Sequence, residues 1–224
     1  MVTTGISSVR PTENRWLYIL GLSATIALSA CVFPADAERS GTKPDSPPMG
    51  WDHRPEAASW TSATLLAVSS KDADLAQGVP DDIAAWCPGY ASASLDERRM
   101  FWAGLLSKVA KYESSWNPAA AGGGGLYIGL MQISPRTAGN YGCEATSAKA
   151  LKDGAANLQC AVTILSQQVA RDGVVAGQGN RGAGRDWMPF RDRAKRAEIA
   201  GWTKSQPYCS EGVASVALTR SPRS

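Results

Sequence analysis

The segment KYESSWNPAA, residues 111–120, places a carboxylate where the surrounding pattern asks for an apolar side chain. Trp102, Leu106, Val109 and Glu113 recur at spacings of four, three and four, which sets them on one face of a helix. A helix that buries the first three carries Glu113 toward the core or to the floor of a cleft beside it. Burial disfavours the charged form and raises the pKa of an acid. A carboxyl that keeps its proton near neutral pH can give it to a departing oxygen, such as that of a glycosidic bond. Two other placements fit the same spacing: Glu113 turned to solvent in the last helical turn, or paired with Lys111 or Arg136.

Other chemistries find less support. The only histidine is His53 and there is no CxxC pair, so the sequence offers no metal set and no cofactor is expected. A formal net charge of +3 is too weak to suggest nucleic acid. Arg10 and Arg15 precede an uncharged run, Trp16 to Ala30, shorter than the roughly 20 apolar residues of a membrane span. Residues 1–30 therefore read as an export signal. The run ends in LSAC, which resembles the lipobox of bacterial lipoproteins and makes Cys31 the expected lipidation site. The alternative is plain cleavage after Ala35 or Ala37. In an exported chain the other four cysteines are expected in disulfides. Of three connectivities, we favour Cys143 with Cys160, closing a short loop, and Cys87 with Cys209, fastening the ends of one domain.

The elements that must position Glu113 are helical. Leu95 to Ser114 is expected to form one helix, and about Asp153 to Arg171 a second, with Asp153 as N-cap and Gly173 as stop. A third runs from Asp186 or Arg191 to Trp202. The glycine-rich stretch from Ala121 to Gly142 suits a loop or short hairpin, then a short helix begun by Ser134 and Pro135. Residues 31–80 are rich in Pro, Ser, Ala, Asp and Lys and are expected to form a flexible tether, with only a short helical patch around Trp60 to Val68. The expectation is one mainly α domain over residues 81–215, its β content reduced to a small loop or hairpin, followed by a disordered tail, 216–224.

ESSWNP, residues 113–118, followed by GLMQISPRTA, residues 129–138, resembles the paired signatures of soluble-lytic-transglycosylase-like (SLT) domains of the lysozyme superfamily. NLQCAVTIL, residues 157–165, is similar to the helix that follows them. The resemblance covers about residues 87–209 and implies a lysozyme-like fold in which Glu113 is the sole catalytic acid and base. It implies that Ser114, Met131, Gln132 and Asn157 serve the substrate and that Asn117 braces the turn; Tyr127 and Trp187 are added as substrate residues because aromatic rings suit the apolar faces of sugars. The family's A-Y-N-A-G stretch is missing; RDWMPFRD, residues 185–192, is the nearest aromatic segment, and Tyr141 to Cys143 are expected in a lid.

The implied reaction cleaves the N-acetylmuramic acid to N-acetylglucosamine bond of peptidoglycan and closes a 1,6-anhydro ring, without a second carboxylate. Hydrolysis by a goose-type-like lysozyme needs one, and Glu144, Asp153, Asp186 and Asp192 are the candidates weighed for it. A noncatalytic glycan-binding lipoprotein is the other alternative. The expected partners are glycan strands and, through Cys31, a membrane; the chain is expected to be a periplasmic monomer. Val32 after the modified cysteine leans toward the outer membrane.

Overall fold

The structure is a computed structural model that describes residues 46–210. Its centre is α2, Leu95–Ser114. Ser94 accepts from the backbone N–H of Glu97 while the Glu97 side chain accepts from the Ser94 backbone, a capping box that fixes the helix start. Every residue from Phe101 to Ala110 is buried, so α2 is enclosed on all sides and its apolar stripe is only part of its contact surface. Gly104 allows Tyr208 to lie against the helix, since a Cβ there would sit 2.2 Å from the Tyr208 hydroxyl.

Around α2 pack α1, Ala57–Ser69, and α5, Arg193–Lys204, and α1 also packs on α4, Gly154–Asp172. Each start is set by a short polar side chain accepting backbone N–H groups: Asp153 for α4, Asp192 for α5, and Ser134 for the short α3, Pro135–Asn140. Gly173 ends α4 in the left-handed conformation. The hairpin is two residues a side, β1, Ala121–Gly122, antiparallel to β2, Tyr127–Ile128, with Ala121 opposite Ile128. Its turn runs through Gly123, Gly124 and Gly125, all at positive φ. This is the mainly helical, single-domain architecture expected, and the helices expected near 95–114 and 153–171 lie there.

The expected tether is corrected from residue 46 onward. Met49, Trp51, Trp60, Val68 and Leu75 are core residues, and α1 is longer than the expected patch. Trp51 donates from Nε1 to Thr61 Oγ1 at 2.9 Å, the Gly50 N–H donates to Ser107 Oγ on α2 at 2.8 Å, and Arg99 of α2 pairs with Asp72. The composition concealed this because the buried face of α1 consists of Trp60, Thr61, Thr64 and Val68. Two threonines on a buried face erase the apolar periodicity, and their hydroxyls find partners, Thr61 in the Trp51 indole and Thr64 in the Trp60 carbonyl at 2.7 Å.

Cys87 is bonded to Cys209 and Cys143 to Cys160. The first joins positions 122 residues apart and fastens the region before α2 to the turn after α5. The export signal, Cys31 and the 216–224 tail lie outside the described residues, as does the expected boundary at 215.

Candidate active site

Glu113 sits in the last turn of α2. The helix ends abruptly because Ser115 and Trp116 both take positive φ, 52° and 57°, which turns the chain away within two residues. The Trp116 indole donates to the Ser107 carbonyl at 2.8 Å and meets His53 edge-on at 4.5 Å, so the N-terminal segment clasps the turn. Asn117 Oδ1 accepts from the Ala119 N–H at 2.9 Å, an Asx turn ahead of Pro118. The backbone after the acid is thus held from both sides.

Glu113 itself is half-buried and forms no ion pair within 4 Å among the described residues. Lys111, one of its possible partners, pairs with Glu198 of α5 at 2.6 Å. Burial raises the Glu113 carboxyl from 4.5 to about 7, with the charge of Lys195 pulling the other way. The acid opens on a cleft of about 400 Å³ lined by Tyr112, Met188, Pro189, Arg191, Asp192 and Lys195. Asp192 brings a second carboxylate to this cleft. Its Oδ1 accepts from the backbone N–H groups of Ala194 and Lys195, which hold its pKa below the usual range. One acid in the cleft is therefore kept neutral by burial and the other kept ionised by the start of α5.

The remaining residues assigned to the substrate divide into two groups. Tyr127 is exposed at the hairpin, and Gln132 is half-buried, its Nε2 donating to the Gly129 carbonyl at 2.9 Å. Gln132 takes φ of 48°, a left-handed conformation uncommon outside glycine. Met131, Asn157 and Trp187 are corrected: they are 0 %, 0 % and 2 % exposed. Asn157 holds the hairpin to α4, accepting from the Met131 N–H and donating to the Ile128 and Leu151 carbonyls, each at 2.9 Å. Trp187 donates to the Met131 carbonyl at 3.2 Å, which ties the same loop to the segment carrying Met188. Ser114 donates back to the Ala110 carbonyl at 3.2 Å and adds nothing to the cleft. Gly129 must be glycine, with φ of 79° and a would-be Cβ 2.2 Å from the Leu151 carbonyl.

Of the other acids weighed as a second carboxylate, Glu144 is exposed and Asp153 caps α4. Asp186 accepts from Tyr141 Oη at 3.3 Å and Gln168 Nε2 at 2.8 Å, which fastens the expected lid residue Tyr141. Sequence reasoning missed Met188, Arg191 and Lys195 as cleft residues. The signal lay in the glutamate being followed, two helices later, by a basic stretch containing a methionine, but which face α5 would show to α2 was not encoded locally. A larger cavity, about 500 Å³, opens beside Cys143 and Cys160 at Leu66. Glu113 does not line it. Among the described residues no group of His, Cys, Asp or Glu could hold a metal ion.

Residues 91–199 match the family described as Transglycosylase SLT domain. No curated protein sequence matches the chain. Among solved structures, a glutamate-to-glutamine mutant of Bd0314 DslA is similar, with 28% identity, a TM-score of 0.67, and coverage of 74% of this chain and 99% of that one. The wild-type form 2 of the same protein gives 28% and 0.66 over the same shares, and a second glutamate-to-glutamine mutant gives 28% and 0.65 over 71% and 96%. With helix, hairpin and half-buried acid in that matched stretch, the chain carries an SLT domain of lysozyme-like fold.

Proposed function

We propose that this protein is a peptidoglycan lytic transglycosylase that cleaves the bond between N-acetylmuramic acid and N-acetylglucosamine and leaves a 1,6-anhydro sugar. The observation that carries the reading is Glu113, an acid with a pKa of about 7 opening on a cleft inside the matched domain. Protonated Glu113 donates to the oxygen leaving C1 of the muramic residue, and the sugar's own acetamido group stabilises the resulting cation. Glu113, now a base, takes the proton from the C6 hydroxyl of the same sugar as that oxygen attacks C1. The nucleophile is already tethered, so one acid of near-neutral pKa suffices for both transfers. Anchorage by a lipid on Cys31, a periplasmic location facing the outer membrane and a monomeric state belong to the same proposal.

Hydrolysis is the second reading, and Asp192 favours it, since an ionised carboxylate in the same cleft could activate water. Against it, one Asp192 oxygen is already shared by two backbone N–H groups. Two of the Bd0314 DslA structures carry glutamine for glutamate at positions eleven residues apart; here the residues eleven before and after Glu113 are Trp102 and Gly124. Mass spectrometry of digested murein decides between the readings. An anhydro terminus, absent with Glu113→Gln and retained with Asp192→Asn, is the expected result. A reducing terminus that disappears with Asp192→Asn overturns it in favour of hydrolysis.

A further inference from the structure

The cleft beside Glu113 has an excess of positive charge that the proton transfers do not use. Arg191 and Lys195 both line it. Neither forms an ion pair within 4 Å among the described residues, although Lys108, Lys111, Arg99 and Arg185 all do. Arg191 is held by neutral acceptors: Nε donates to the Gly184 carbonyl at 2.9 Å, Nη2 to the Arg185 carbonyl at 2.6 Å, and Nη1 meets Met188 Sδ at 3.2 Å. Its position is fixed and no carboxylate closes an ion pair on it, although its charge also acts on Asp186. Lys195 projects from the first turn of α5 with Nζ 5.5 Å from the centre of the Tyr112 ring, on the residue adjacent to the acid. Asp192, the cleft's ionised carboxylate, is engaged by the backbone at the start of α5. With Glu113 protonated, as the reaction requires, two cations face one carboxylate.

We propose that Arg191 and Lys195 form a carboxylate-binding subsite that recognises the acidic substituent at C3 of the muramic residue next to the scissile bond. The proposal rests on the glycan-cleaving reading above and adds which part of the substrate the cleft selects. The muramic residue differs from its neighbour by a lactyl ether. This ends in a free carboxylate on bare glycan, or in an amide-linked peptide with carboxylates of its own on intact strands. Both sources present the anion that a fixed guanidinium and an adjacent ammonium bind. Met188, 62 % exposed in the same cleft, gives the apolar part of that substituent a surface to cover.

The test uses the full chain carrying Glu113→Gln, so that binding is read without turnover, against three glycans of matched length: stem-bearing murein fragments, the same fragments stripped by an amidase, and chito-oligosaccharides, which carry no carboxylate. Both murein ligands should bind more tightly than the chito-oligosaccharides by about fivefold per ion pair at low salt, with the difference shrinking at high salt. Adding Lys195→Gln should lower that preference by about fivefold, while Lys195→Arg should preserve it. Whichever murein ligand binds more tightly identifies the carboxylate used. Equal affinity for all three glycans overturns the subsite, and so does a preference that Lys195→Gln and salt leave unchanged. Failure of the wild-type chain to cut murein that it binds with this preference contradicts the lytic reading and leaves the subsite standing.

Discussion

Glu113 is costly to the fold in a way that depends on pH. Its carboxyl titrates near 7 in the folded chain against an ordinary 4.5, which amounts to about 3 kcal/mol of disfavoured ionisation. Below pH 4.5 both the folded and unfolded chains hold the proton and nothing is lost. Between pH 4.5 and 7 the unfolded chain sheds it first, so folding stability falls as pH rises, and above 7 the full penalty remains. Glu113→Gln removes the penalty. Urea denaturation should find that variant more stable than wild type by about 3 kcal/mol above pH 7, with the gain shrinking toward zero near pH 4.5. A variant that destabilises at every pH would mean that the carboxylate is held by favourable contacts instead. At this scale spacing set the acid in line with Trp102, Leu106 and Val109 but left solvent exposure or pairing with Lys111 or Arg136 equally open, because those choices depend on neighbours that α2 meets only in the fold.

At the scale of elements, the sequence made the ends of helices clearer than their partners. Asp153 and Gly173 mark the limits of α4 through backbone groups that a short side chain or a left-handed residue must satisfy, which are local demands. The third helix starts later than expected, at Arg193, because Asp192 is the residue whose side chain accepts the first N–H groups. Asn157, Met131 and Trp187, expected to serve the substrate, are buried in the frame behind the cleft. Residue type announces that an amide or indole needs a partner, but not whether that partner is a sugar or a neighbouring carbonyl. Asn157 supplies three hydrogen bonds across a buried junction. Asn157→Leu should therefore cost about 3 kcal/mol, at about 1 kcal/mol for each bond, measurable by urea denaturation. It should also loosen the hairpin, seen as faster amide exchange at Met131. An unchanged denaturation midpoint would remove Asn157 from the frame.

For the whole molecule, the main lesson is that the domain begins before the family signatures do. The matched stretch starts at residue 91, yet Trp51, Trp60, Val68 and Leu75 fill the core around α2 and α4. Four such side chains contribute about 1.5–3 kcal/mol each on burial, comparable with the entire stability of a domain. A chain beginning at residue 81 should consequently lose its cooperative thermal transition, whereas one beginning at residue 46 should keep it; equal melting of the two would restore the tether. That segment also backs the site, through Gly50 on Ser107 and His53 on Trp116. The account of function nevertheless converges on one proton at one carboxyl. A carbon-13 NMR titration of the Glu113 carboxyl in the free protein reads it directly: a midpoint near 7 is the predicted result, and a midpoint near 4.5 would contradict it.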